Sequence, residues 1–199
     1  MEIIDLKNRS LLRSRESIKN YFLRDKVVVM PTDTIDGISV RADSFTAVEK
    51  IYKIKKRNKN KSLIILVSSI NMLKKYCYLS QAQERVLKKI WQSENPTTVL
   101  LTHKKKLATN LTNNKYLAVR LPKNDFLRKM IKSLRIPIVS TSLNISGEKN
   151  LTINQSLELF RSTLRPDLVV INGINDKLKI KASRLLSLNQ EGEFKIIRK

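Results

Sequence analysis

KIKKRNKNKSLIILV, residues Lys53 to Val67, holds the transition on which the fold turns. Upstream, Ser44 is placed to cap a helix that puts Ala47, Val48, Ile51 and Ile54 on one face. Lys55, Lys56 and Arg57 fall at or beyond the end of that helix. Cations there meet the negative end of the helix dipole, worth about 0.3–1 kcal/mol each at an exposed site. The dipole does not account for Lys59 and Lys61, which carry the charge on to Leu63–Val67, an apolar run of strand length. A basic loop between a helix and a buried strand can clamp a triphosphate or a carboxylate.

The same alternation extends in both directions. Residues 10–24 carry Leu11, Leu12, Ile18 and Phe22 among charges, an amphipathic helix. Lys26–Met30 is a buried strand stopped by Pro31. Helices are expected over Ile70–Tyr76, Gln81–Trp91, Asp125–Leu134 and Ser156–Phe160. Strands are expected over Thr97–Thr102, Leu117–Leu121, Ile136–Thr141 and Leu168–Ile171. Arg184–Leu188 and Phe194–Arg198, separated by NQEGE, read as an antiparallel hairpin. The pattern predicts an α/β fold, a mixed sheet with helices on both faces. No repeat or Pro/Gly/Ser-rich linker interrupts it, so residues 1–199 are expected to form one domain.

The composition narrows the classes. Hydrophobic residues are 41% and charged residues 29% of the 199, which fits a globular chain rather than a disordered one. The start, MEIIDLKNRS, lacks the pattern of a signal peptide, and no apolar run is long enough to span a bilayer. The single cysteine, Cys77, fits a reducing compartment, and a cytoplasmic location with no membrane partner is expected. The formal net charge of +23 favours polyanions. It is equally what heavy use of Lys, Ile and Asn, as in AT-rich coding DNA, would produce. Aromatics are 6% and do not interleave with the basic runs, which argues against a stacking platform for single strands.

Several chemistries are excluded or disfavoured. Gly37, Gly147, Gly173 and Gly192 form neither a dinucleotide-binding fingerprint nor a P-loop. One Cys and one His leave no His/Cys zinc site. A Ser-His-Asp triad would have to use His103 in THKKK, read as a surface residue. The remaining resources are Lys, Arg, Ser, Thr and Asn, which suit chemistry on phosphates, where positioning and charge neutralisation dominate.

Three stretches could supply it: VVVMPTDTIDG (27–37), the basic loop, and PIVSTSLNISG (137–147). Each puts hydroxyls, amides or cations beside a strand end, where α/β sheets place ligands. The first and third also read as capped turns, the reading that chemistry alone favours for the first, and the helix dipole is the plain reading of the second. Taken together, PTDTIDG, KIKKRNKNKSLIILV, LAVRLP and STSLNISGE resemble the YrdC/TsaC family of threonylcarbamoyl-AMP synthases from about Val27 to Arg198. Lys55–Lys56–Arg57 matches the family's K-x-R, and Ser142–Leu143–Asn144 its S-x-N.

The resemblance implies a twisted mixed sheet around a basic pocket. It also implies formation of threonylcarbamoyl-AMP and pyrophosphate from L-threonine, bicarbonate and ATP. Mg2+ would accompany ATP, with no permanently bound cofactor. A tRNA-threonylcarbamoyl transferase complex would use the product to modify tRNA beside the anticodon. By position, Thr34, Arg120, Ser140 and Ser183 are expected on the threonine side. Arg57, Lys61, Ser142, Asn144, Asn150 and Arg198 are expected to bind ATP, with Lys55 and Arg57 stabilising the reaction electrostatically. The chain departs from the family pattern at Asp36, where an aromatic is usual, in WQSENPTT (91–98), and at Ala182 in place of a proline. The alternative is a non-catalytic RNA-binding module of the same fold, and direct tRNA binding is compatible with both.

Overall fold

A computed structural model of the protein describes residues 1–144, 155, 165–172 and 182–198. In chain order the elements are β1 (Glu2–Asp5), α1 (Leu11–Leu23), β2 (Val28–Met30), β3 (Gly37–Arg41), α2 (Phe45–Ile54) and β4 (Ile64–Leu66). There follow α3 (Ile70–Tyr76), α4 (Gln81–Gln92), β5 (Thr97–Thr102), a 3-10 turn (Thr109–Leu111), β6 (Tyr116–Arg120) and α5 (Asp125–Leu134). The last are β7 (Ile138–Ser142), β8 (Leu168–Ile171), β9 (Arg184–Leu188) and β10 (Phe194–Arg198). The helix expected over Ser156–Phe160 lies outside the described residues.

These strands form one ten-stranded twisted sheet in the order β1-β8-β2-β3-β7-β4-β6-β5-β9-β10. Pairings of both senses occur: β4 runs parallel to β6 and β5 to β9, whereas β2/β3, β3/β7 and β5/β6 are antiparallel. The expected mixed α/β sheet is thus present, and the terminal hairpin β9–β10 is antiparallel as read. Two strands went unforeseen. β1 buries only Ile4 fully and pairs parallel with β8, so its four residues carry little pattern. β3 follows the PTDTID loop directly and turns β2–β3 into a hairpin.

Local causes are clear at the helices. Ser44 accepts from the Ala47 N–H at 3.2 Å and caps α2, whose Ala47, Val48, Ile51, Tyr52 and Ile54 are buried. α4 opens with a capping box, Ser80 and Gln83 each accepting from the other's backbone N–H at 3.0 Å. α2 packs on β3, and α1 packs on α5 with Ile18 and Phe22 fully buried. No helix among the described residues is long and apolar enough to cross a membrane.

Gly37 shows how packing reaches the strand ends. It pairs with Ser142 across β3/β7, and a Cβ built on it would overlap the Ser140 hydroxyl and crowd Thr32. Only glycine lets the two loops approach this closely. Gly37→Ala is expected to destabilise the protein by about 1–3 kcal/mol through overpacking. Urea unfolding checks this; a midpoint equal to wild type would show that the contact yields freely.

Candidate active site

The register of the sheet brings the distant motifs together. Gly37, Ile38 and Ser39 of β3 lie opposite Ser142, Thr141 and Ser140 of β7, so the PTDTID loop and the STSLN segment are strand neighbours. The Leu143 N–H extends the contact by donating to the Asp36 carbonyl at 3.1 Å. Two strands over, Arg120 ends β6, flanked by Leu66 of β4 and Thr98 of β5. One cavity of about 230 Å³ opens where these ends meet. Thr34, Arg120, Ser140 and Ser183 line it, and so do Arg57, Ser142 and Arg198. Ile35, Leu63 and Ile64 supply an apolar portion of the wall, and among the described residues no acidic one is part of the lining.

Arg120 is 5% exposed. Its Nη1 donates to Thr34 Oγ1 at 2.7 Å, and its Nη2 stands 3.3 Å from Asp33 Oδ1. The other Asp33 oxygen accepts from the Lys123 N–H at 2.9 Å. Burial lowers the Arg120 pKa and the Asp33 charge opposes that. Its Nε has no hydrogen-bond partner among the described residues. The hydroxyls form a relay. Thr32 donates to the Ile35 carbonyl at 2.8 Å, so its contact with Thr34 at 3.1 Å is one that Thr34 donates. Arg120 donates to Thr34 in turn.

The other hydroxyls are also fixed from behind. Ser140 accepts from Ser39 at 3.2 Å, and the Ser183 and Thr98 hydroxyls hydrogen-bond to each other at 2.8 Å. Thr98 is reached through the altered WQSENPTT segment: the Trp91 indole donates to the Thr97 carbonyl at 2.9 Å and anchors the start of β5. Arg198 donates to the Ser183 carbonyl at 2.8 Å. Arg57 donates to the Lys61 and Ser62 carbonyls at 3.1 and 2.9 Å, which folds the basic loop around its guanidinium. Burial lowers the Arg57 pKa.

Lys55 occupies a different place from the one expected of a phosphate grip. It is 2% exposed and not part of the cavity lining. Its ammonium donates to the carbonyls of Ser142 and Asn144 at 2.5 and 2.6 Å and to Asn144 Oδ1 at 2.8 Å. In the ammonium form all three of its protons are spent inside the protein, so Lys55 holds the STSLN segment in place rather than facing the cavity. Ser142 Oγ donates to the same Asn144 oxygen at 2.7 Å, which puts Asn144 behind Ser142. Lys61 is exposed outside the lining. Lys59 pairs with Glu49 at 2.7 Å. Asn150 lies outside the described residues.

Asp36, the departure from the aromatic pattern, is half-buried, its carboxyl pKa raised by burial, and it stands outside the cavity lining. His103 contacts the Asn114 carbonyl at 3.1 Å and lines a separate cleft. Among the described residues no group of His, Cys, Asp or Glu could hold a metal ion. The sequence singles out the PTDTIDG loop but gives Asp33 no site role of its own, and it offers no sign of Ser39 or Thr98. Their roles come from cross-sheet pairing, and only the position of Asp33 two residues after Pro31 hints at them.

A family model, Sua5/YciO/YrdC, described as telomere recombination, matches residues 20–199. The threonylcarbamoyl-AMP synthase of Wigglesworthia glossinidia brevipalpis is 33% identical over 73% of this chain and 74% of its own length. The Psychromonas ingrahamii protein of the same name is 30% identical over 77% and 84%. The structure of an H234A/Y235A variant of P. abyssi Sua5 covers the whole of this chain with a TM-score of 0.84 at 24% identity. This chain spans 57% of that one.

The buried ammonium makes a pH prediction. Burial, then the Arg57 charge, lowers the Lys55 pKa from 10.5 to about 7. Between those values the unfolded chain holds a proton that the folded chain has released, so stability rises with pH. Lys55→Met lacks this titration. The unfolding free energy of wild type minus that of Lys55→Met should increase from about pH 6.5 to about pH 9.5, measured in urea. Parallel pH profiles would place the Lys55 pKa outside that window.

Proposed function

We propose that this chain, which belongs to the Sua5/YciO/YrdC family, is an L-threonylcarbamoyladenylate synthase. One observation carries the reading: hydroxyls and three arginines from separated segments share one electropositive cavity, beside relatives of that name at 30–33% identity. The overall reaction converts L-threonine, bicarbonate and ATP into threonylcarbamoyl-AMP, pyrophosphate and water.

Arg120 takes the threonine carboxylate. Its guanidinium lines the cavity and matches a carboxylate, and Asp33 and Thr34 hold it in place. Thr34, Ser140 and Ser183 surround the rest of the amino acid with hydroxyls already held from behind. The threonine amine condenses with bicarbonate-derived CO2, losing a proton, and becomes a carbamate. A carbamate oxygen bonds to the α-phosphorus of ATP as the bond to the β-phosphate oxygen breaks. Pyrophosphate leaves with that electron pair.

Negative charge grows on the departing phosphates, and Arg57 and Arg198 offset it in a partly dehydrated pocket. Lys61, exposed on the loop that Arg57 holds, reaches the outer phosphates. Ser142 forms the nucleotide side, backed by Asn144, and Lys55 keeps both in register. Mg2+ comes with ATP as part of the substrate; the hydroxyls and guanidinia around the cavity suit phosphate oxygens. No side chain needs to form a covalent intermediate. The product is a mixed anhydride and passes to a tRNA-threonylcarbamoyl transferase complex. We further propose a single domain over residues 1–199 and a cytoplasmic location.

Pyrophosphate release from Mg-ATP tests the reading. It should require both L-threonine and bicarbonate, and Arg57→Ala should lower it by about 10²–10³ with the fold retained. Release that ignores either co-substrate, or that Arg57→Ala leaves intact, contradicts it.

A further inference from the structure

Ser39 is a polar residue at a place where packing alone asks for none. It lies in the middle of β3, opposite Val28 of β2 on one side and Ser140 of β7 on the other, and residues so paired share a face of the sheet. Its exposure is 0%, and its neighbours in β3, Ile38 and Val40, are buried as well. A hydroxyl so far from water needs a partner. Among the described residues the Ser39 side chain has one, the Ser140 hydroxyl, to which it donates at 3.2 Å.

The direction of that bond matters more than its strength. A serine oxygen carries one proton and two lone pairs. Because Ser140 takes the Ser39 proton, its own proton is not spent on this contact, and among the described residues no acceptor takes it. Ser140 lines the cavity, so that proton is available to a ligand there. Thr34, also in the lining, has the opposite polarity. It gives its proton to Thr32, whose own proton goes to the Ile35 carbonyl, and it takes one from Arg120 Nη1. What Thr34 has left is a lone pair. One cavity of about 230 Å³ thus holds a hydroxyl that can only accept and another that can donate. Gly37 leaves room for this, since a Cβ there would displace Ser140 Oγ.

We infer that Ser39 is a positioning residue that turns the Ser140 proton into the cavity, and that it thereby helps the site select an amino acid with a side-chain hydroxyl. A hydroxyl both gives and takes a proton, so it satisfies Thr34 and Ser140 at once, whereas a methyl group satisfies neither. A site that hydrogen-bonds a substrate hydroxyl rejects the analogue lacking it, because the polar groups of the site are then left unpaired. Ser39 itself touches no substrate and acts through Ser140. The inference rests on the synthase reading, in which the hydroxyl is that of L-threonine.

Pyrophosphate release at saturating Mg-ATP and bicarbonate tests it, with either L-threonine or L-2-aminobutyrate, which is threonine without its hydroxyl. Wild type should prefer L-threonine. Ser39→Ala should narrow that preference, taken as the ratio of kcat/KM values, by about 3–10-fold, the span of one neutral hydrogen bond. The change should fall on the KM for L-threonine rather than on kcat. Ser39→Cys fills the same space, donates only weakly and should behave in the same way. Ser39→Ala combined with Ser140→Ala should match Ser140→Ala alone, because one residue acts through the other. Three results overturn the inference and leave the synthase reading standing: a preference unchanged in both Ser39 variants, equal losses with the two amino acids, or a Ser39→Ala loss that adds in full to that of Ser140→Ala. Release that ignores L-threonine contradicts the synthase reading itself, and the role of Ser39 falls with it.

Discussion

A guanidinium buried at the end of a central strand is the constraint on which this structure depends. Arg120 cannot leave the sheet, because its backbone is paired on both sides by β4 and β5. Its charge must therefore be met where it is. Asp33 meets it, and Asp33 belongs to the loop joining β2 to β3. Removing one partner of a buried ion pair costs about 3–5 kcal/mol, so the pair ties the PTDTID loop to β6 across the sheet. The Thr32–Thr34 relay, the close approach at Gly37 and the seat of Ser140 all follow from that loop's position.

A second buried cation performs the matching task on the other loop. Lys55 ends the helix that the opening stretch continues from, and its ammonium grips the STSLN segment from behind. The basic stretch thus divides its labour. Lys55 is internal scaffold, Arg57 faces the cavity while folding its own loop, and Lys59 meets Glu49. Lys61 remains on the exposed side. Charge density alone could not have separated these roles.

The elements whose amphipathic or apolar runs are long were legible in the sequence. Most of those within the described residues stand within two residues of their expected bounds, from α1 to the β9–β10 hairpin. β1 and β3 were not legible, since one is a four-residue edge and the other begins inside a motif read as loop. The resemblance to a known family picked out residues that the structure does gather, among them Thr34, Arg57, Arg120 and Ser183. It could not show that Lys55 turns inward, because a motif records which residue stands at a position and not the direction of its side chain. Asp33 and Thr98 were missed for a related reason: their partners lie across the sheet.

If the buried pair sets the site, then weakening it should uncouple threonine binding from folding. The direct measurement is calorimetric titration of L-threonine, in the presence of Mg-ATP, into Asp33→Asn beside wild type. This substitution keeps the size of the side chain and removes the charge that orients Arg120. A cooperatively folded variant whose threonine affinity falls tenfold or more is the predicted result. Wild-type affinity in that variant would mean that Arg120 needs no partner to present itself, and the central place given to the pair would be wrong.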